Sequence, residues 1–376
     1  MTWQPFALTE KTCAPFLQEL PSDPPQAPLI EAAPPWRQFM GWEEFNESHG
    51  PKAFERWSIV NAARNAASRE KADTFVLPDT PACQELVLAV NAALTLRRPL
   101  LLTGLPGSGK TTLAHVVAEW LRLGPVLEWN ISPGATLAEA LSTYNPLARL
   151  QDLERANKLG MEPEPVERFI RLGPVGTAFL PGFLPRVLLI DEIDKGDLNL
   201  ANELLHLFEN GSYPIPELQR ADRKIPEAPS AEVQTWDLDS NGQPVPTTIL
   251  GGVVRCHEFP LVVMSSNGER DFPPAFNRRC LRVTMPNFNA NPDILERIVH
   301  RHLARDGQTL NQVKEALLAF DRARRAAATR NDSVAMDQLL NLAYLMERSP
   351  GELSLSLERV LLQSLNSDLD DLQYAP

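Results

Sequence analysis

The sequence predicts an α/β protein: a parallel sheet covered by helices on both faces, followed by a region of helices alone. Three observations carry this. Apolar runs at 99–103, 187–190 and 261–266 show no alternation, as strands buried on both faces do. A glycine-rich turn follows the first run and opens a helix. From Pro286 onward only helical spacing is left, near 292–304, 309–328, 333–347 and 353–366.

Taken in order, residues 1–50 are rich in proline and aromatics. Pro21-Ser22-Asp23-Pro24-Pro25 reads as extended linker. Pro34-Pro35-Trp36-Arg37-Gln38-Phe39 is followed by Trp42, Phe45, Phe54 and Trp57, too much aromatic surface to hang in water. It is read as an arm that packs on the main domain, with a partner-binding arm as the alternative, and 52–70 as helical. The first boundary is set at 1–74. The core runs over 75–286 and the helical lid over 287–376.

In the core, 82–97 reads as a helix leading into the first strand, 99–103. Residues 125–130 give a short second strand. Residues 131–186 are irregular, with helical pieces near 137–142, 146–159 and 165–171 and a turn-rich bridge over 172–177. Residues 187–192 are the third strand, ending in two carboxylates. In the helix after it, Leu198, Ala201, Leu204, Leu205 and Phe208 share one face, and Asn210-Gly211 stops it. A proline-interrupted insertion fills 212–257, with a hairpin-turn signal at Ser240-Asn241-Gly242. Residues 261–266 and 279–285 supply the fourth and fifth strands.

The chain of 376 residues is 43% hydrophobic and 22% charged, a globular balance, with a formal charge of -12. That charge argues against nonspecific nucleic-acid binding, which needs basic surface, and leaves open only a local basic groove. The four cysteines, Cys13, Cys83, Cys256 and Cys280, form no C-x-x-C pair and are read as buried free thiols. No apolar run reaches 18 residues and no signal peptide is seen, so a soluble, cytoplasmic protein is expected, with no membrane partner.

Chemistry concentrates at the strand ends. Gly104-Leu105-Pro106-Gly107-Ser108-Gly109-Lys110-Thr111-Thr112 fits G-x-x-x-x-G-K-[ST] in the strand–turn–helix context that makes it a phosphate loop. Its glycines let successive N–H groups point at phosphate oxygens, and the new helix adds its positive end. Lys110 would reach the β- and γ-phosphates and Thr111 would ligate Mg²⁺. Asp191-Glu192 ends a buried strand. Asp191 is read as the second Mg²⁺ holder and Glu192 as the group that orients and deprotonates the attacking water. Asp194 and Asp197 are read as helix N-caps. Asn267, at the end of the fourth strand, can position that water. Arg278 and Arg279 stand where a ring-forming nucleotide hydrolase would present an arginine to the neighbouring subunit's nucleotide. Asn157-Lys158-Leu159-Gly160 lacks the Asp of a guanine-reading N-K-x-D, which leaves adenine as the base.

With these residues in place the chain resembles AAA+ ATPases, and among them the MoxR family. The carrying segments are GLPGSGKTTLA (104–114), VLLIDEIDK (187–195), ELLHLFENG (203–211), VVMSSNGERDFPPAFNRRC (262–280) and the helical tail. More narrowly, PPWRQF (34–39), RLGPVGTAFLP (171–181) and GGVVRCHEFP (251–260) resemble the MoxR-type ATPases of predicted bacterial conflict systems, which are linked with a von Willebrand A-domain protein. The resemblance implies ATP with Mg²⁺, strand order 5-1-4-3-2, hexamer-like rings, and insertions at 131–186 and 212–257 facing the pore or a partner. It places the finger first at Arg279 and second at Arg278, and gives Asn130 the task of holding Glu192 inactive until a partner binds. The chain departs from the family pattern at two places. Phe75–Thr80 replaces a glycine-bearing adenine-side motif, and the lid helix opens Asn331–Asp337 with Arg330 before it, where an S-P-R-A-like context is expected. The leading expectation is an ATP-driven remodelling machine acting on a protein. The rivals are a slow nucleotide-gated switch and a DNA-directed motor.

Overall fold

The computed structural model describes residues 23–63, 66–222, 230–289, 291–303, 313–329, 334–348 and 361–362. The expected helix over 353–366, Cys13, Arg330 and Asn331–Ser333 therefore lie outside the described residues, apart from 361–362.

Five strands form the central sheet: Leu100–Thr103, Leu127–Asn130, Val187–Asp191, Leu261–Ser266 and Leu281–Thr284. They are parallel and lie in the spatial order fifth, first, fourth, third, second, as expected. The apolar runs fail to alternate because both faces are buried. Leu101, Leu188, Ile190, Val262 and Met264 join one core. Leu100, Leu102, Val187, Leu189, Leu261 and Val263 join the other, against the helices Pro81–Leu96 and Lys110–Trp120. Each such side chain withdrawn from water contributes about 1.5–3 kcal/mol.

Elsewhere the sequence reading needs correction. The segment near 165–171 is not helical throughout: a single 3₁₀ turn, Val166–Phe169, gives way to a strand, Ile170–Leu172. The supposed turn-rich bridge contains a short helix, Pro174–Ala178. The insertions at 131–186 and 212–257 meet in a second sheet of six strands, which the sequence reading missed. Its spatial order is Ser142–Tyr144, Ile170–Leu172, Ser230–Leu238, Pro244–Leu250, Val253–Arg255, Ser212–Pro214. The strand Ser230–Leu238 has strict two-residue alternation of burial, but two of its inward residues, Thr235 and Asp237, are polar. Asp237 is neutralised by a two-pronged pair with Arg186 at 2.8 Å. The hairpin turn falls where expected: the Asp239 carboxylate accepts from the Asn241 and Gln243 amides, and Gly242 takes φ +75°.

The small helix Pro174–Ala178 is jammed against its neighbours. A Cβ on Gly176 would collide with the Leu141 carbonyl oxygen and stand 2.6 Å from the Tyr213 hydroxyl. Gly176→Ala is therefore expected to destabilise the protein by about 1–3 kcal/mol or more, read as a lower denaturation midpoint. An unchanged midpoint would show that this packing yields freely.

Three helices precede the core, Trp42–Ser48, Gly50–Ala62 and Ala66–Thr74. Phe45 is buried with Met40, Ala53 and Phe183, and its ring stacks on His257 at 4.3 Å. Arg37 donates to the carbonyls of Arg97 and Phe208 at 2.9 and 2.7 Å, while neighbouring Trp36 is 78% exposed. Beyond the sheet, Pro292–Leu303, Val313–Ala328 and Met336–Arg348 build a separate apolar cluster around Phe320, Leu339 and Leu342. Among the described residues no helix is long and apolar enough to cross a membrane. Cys83, Cys256 and Cys280 are free and buried, and burial pushes the Cys280 thiol up to about 12.

Candidate nucleotide site

The C-terminal ends of the first, third and fourth core strands open on one cavity of about 390 Å³. Leu105–Thr112 line one side of it. The turn is drawn tight by a bond from the Ser108 amide to the Leu105 carbonyl at 3.2 Å. Gly107 and Gly109 take φ +72° and +86°, which side chains rarely tolerate, and Gly109 caps the helix that follows. The Ser108 hydroxyl is buried without a partner. An orphaned polar atom in such a loop fits a missing anion.

Lys110 is only 7% exposed, and its Nζ donates to the carbonyls of Gly104 and Leu105 at 2.8 and 2.9 Å. Burial lowers its ammonium from the ordinary value, while the carboxylates of Asp191, Asp194 and Glu192 pull it back up. The Thr111 hydroxyl lies 3.1 and 3.0 Å from the two Asp191 carboxylate oxygens. A hydroxyl and a carboxylate brought together beside a phosphate loop are the hard oxygen donors that Mg²⁺ prefers.

Glu192 closes the third strand in the left-handed conformation, φ +58°, which a side-chain-bearing residue adopts only under constraint. Ser265 supplies part of that constraint. Its hydroxyl accepts from the Glu192 amide at 2.8 Å and donates to the Asp191 carboxylate. The Glu192 carboxylate is held by Lys195 Nζ at 2.7 Å, and that bond raises the lysine above its usual value. No bond joins Glu192 to Asn130, whose backbone instead pairs in register with Asp191. Asn267 lines the cavity, and its backbone N–H donates to the Asp194 carboxylate at 2.9 Å.

Asp194 is therefore not a helix cap. It is 3% exposed and also accepts from the Glu269 amide at 3.1 Å, so it fixes the loop that carries Asn267. Asp197 is the cap, accepting from the Asn199 amide. Ser265, Asp194 and Lys195 are site residues that the sequence reading did not assign. The signal for Ser265 was a pair of hydroxyls, Ser265-Ser266, following Met264, which pairs with Ile190 just before the carboxylates on the neighbouring strand.

The lining also carries the apolar side chains of Phe75, Val76, Phe288, Ile298, Met336 and Leu340, with Asn287, Asn289, His302 and Asp337 among them. An anion-seeking loop beside apolar side chains suits a nucleotide, with phosphates on the loop and the base against the apolar groups. The lid closes directly on the phosphate loop. A Cβ on Gly107 would stand 3.2 Å from the Met336 nitrogen and 3.4 Å from an Asp337 carboxylate oxygen. The lid thus meets the loop with an acid, where the resemblance expects an arginine. Arg278 and Arg279 do not line this cavity. They do not begin a strand either: they are the last turn of a helix, Pro274–Arg279, and the Arg279 side chain is paired with Glu209.

The parallel sheet, phosphate loop, strand-end carboxylates and following helices define an α/β fold of the P-loop nucleotide-binding kind. Residues 99–280, just under half of the chain, match the family model described as the AAA domain of the dynein-related subfamily. No curated protein matches the chain. Among solved structures, NtrX from Brucella abortus is 14% identical with a TM-score of 0.41, covering 82% of this chain and 59% of its own. The chain thus spans about three fifths of that structure's length. Domain III of the Thermotoga maritima replication initiation protein DnaA is 16% identical with a TM-score of 0.38, covering 80% of this chain and 97% of its own. The Saccharomyces cerevisiae Hsp104–ADP complex is 16% identical with a TM-score of 0.39, covering 75% and 46%.

Proposed function

We propose that this protein is a MoxR-like AAA+ ATPase that hydrolyses ATP in a ring and uses the cycle to remodel a protein partner. The observation that carries the reading is the Thr111–Asp191 contact, which assembles the phosphate loop and the carboxylate strand into one site. Gly104, Pro106, Gly107, Ser108, Gly109, Lys110 and Thr112 would hold the triphosphate, with Thr111 and Asp191 on Mg²⁺. The metal would neutralise phosphate charge. Glu192 would take the proton of the attacking water, and Asn267 would orient that water. Arg279, or Arg278, would reach the neighbour's site. We assign 1–74 as an arm, 75–286 as the ATPase core and 287–376 as the lid. A von Willebrand A-domain protein is the partner we expect, in a bacterial conflict system.

If a neighbour completes the site, phosphate release per subunit should rise with protein concentration and level off as rings fill. Constant turnover per subunit down to monomer concentrations would overturn the ring. A second reading, a slow nucleotide-gated switch, draws support from the Glu192–Lys195 pair, since the proposed base starts out engaged. Turnover measured with and without the partner protein separates the two.

A further inference from the structure

Arg278 and Arg279 end the helix Pro274–Arg279, and what holds that end in place is Arg98. Its Nε donates to the Arg279 carbonyl at 3.1 Å, and a second guanidinium nitrogen donates to the Arg278 carbonyl. The last carbonyls of a helix lack partners within it, and a forked cation satisfies two at once while facing the negative end of the helix.

Arg98 is itself anchored. It lies two residues before Leu100–Thr103, the strand that runs into the phosphate loop. Its neighbour Arg97 is buried in the left-handed conformation, φ +52°, and pairs with Glu258 at 2.9 Å. The Arg97 carbonyl accepts from Arg37, and Arg37 also donates to the Phe208 carbonyl. Phe208 lies in the last turn of the helix Leu198–Asn210, and the next residue along, Glu209, pairs with the Arg279 side chain. Arg279 is thus held by its backbone through Arg98 and by its side chain through Glu209. Both holders trace back to elements tied together by Arg37 of the N-terminal segment.

We propose that Arg98 is a positioning residue for the arginine presented to the neighbouring subunit. It aims Arg278–Arg279 and, because it is rooted on the strand that feeds the phosphate loop, ties their position to the chain's own nucleotide site. This rests on the reading that a neighbour completes each site.

The test uses the full chain at ring-filling concentration. Arg98→Ala should bind ATP like the wild type and lose about 10- to 100-fold in turnover, the cost of misplacing a positioned group by about an ångström. Mixed with Glu192→Gln protein, which has an intact Arg98 but no base, it should recover turnover well above either parent. In such rings the Arg98→Ala site is served by a correctly aimed arginine from its neighbour. Arg98→Lys keeps the charge, loses the fork and should fall between Ala and wild type; it carries the same mixing test if Arg98→Ala fails to fold. If the Arg278→Ala/Arg279→Ala double variant recovers on mixing while the Arg98 variants do not, Arg98 acts only within its own subunit and the proposal fails. If none recovers, the shared-site reading itself fails.

Discussion

Lys110→Ala is expected to abolish ATP binding at concentrations that saturate the wild type. The ammonium is almost fully buried, and it pins the loop by donating to Gly104 and Leu105 while aiming its charge into the cavity. Truncating it removes a desolvated cation from the proposed phosphate site, and also releases the two carbonyls it bonds. Losing one partner of a buried, hydrogen-bonded charge pair costs about 2–5 kcal/mol, or roughly 30- to several thousand-fold in affinity. Titration of a fluorescent ATP analogue reads the change. Wild-type affinity in the variant would mean that the nucleotide sits elsewhere.

Glu192→Gln should leave ATP binding in place and remove hydrolysis. The substitution preserves shape and deletes the group able to accept a proton. A positioned general base contributes about 10²–10⁴-fold, or roughly 3–5 kcal/mol of barrier. The residue's backbone is held from outside its own side chain, by Ser265 and by the register of the third strand, so the glutamine should occupy the same place. In the wild type Lys195 holds one oxygen of the carboxylate, Oε2, and the other oxygen can accept from a water molecule. A partner that draws Lys195 away would leave the carboxylate more basic and accelerate the wild type while leaving Glu192→Gln silent.

The central sheet was legible in the sequence because its three inner strands are apolar on both faces and run into the phosphate loop, the paired carboxylates and Asn267. The phosphate loop and Asp191-Glu192 were legible for the same reason, since charge at the end of a buried run calls for a ligand. The second sheet was not. Its strands are short or interrupted by Pro214, Pro244 and Pro246, and its best strand buries Thr235 and Asp237 where apolar residues would have marked the period. The supporting groups at the site were hidden differently. Ser265 and Asp194 become meaningful only when strands distant in sequence lie side by side, and Arg98 reads as one more surface cation until the helix end at Arg279 is placed against it. The exposed arginines themselves were visible, but their place on a helix was not, because Arg279-Cys280-Leu281-Arg282-Val283 reads equally well as a strand.

The most direct test of the central claim is the identity of the nucleotide on the protein after incubation with ATP and Mg²⁺. Wild-type protein should carry ADP with phosphate released to solution, and Glu192→Gln should carry intact ATP at the same occupancy. ADP on Glu192→Gln at the wild-type rate, or ATP left uncleaved on both proteins at ring-filling concentrations with the partner present, would contradict it.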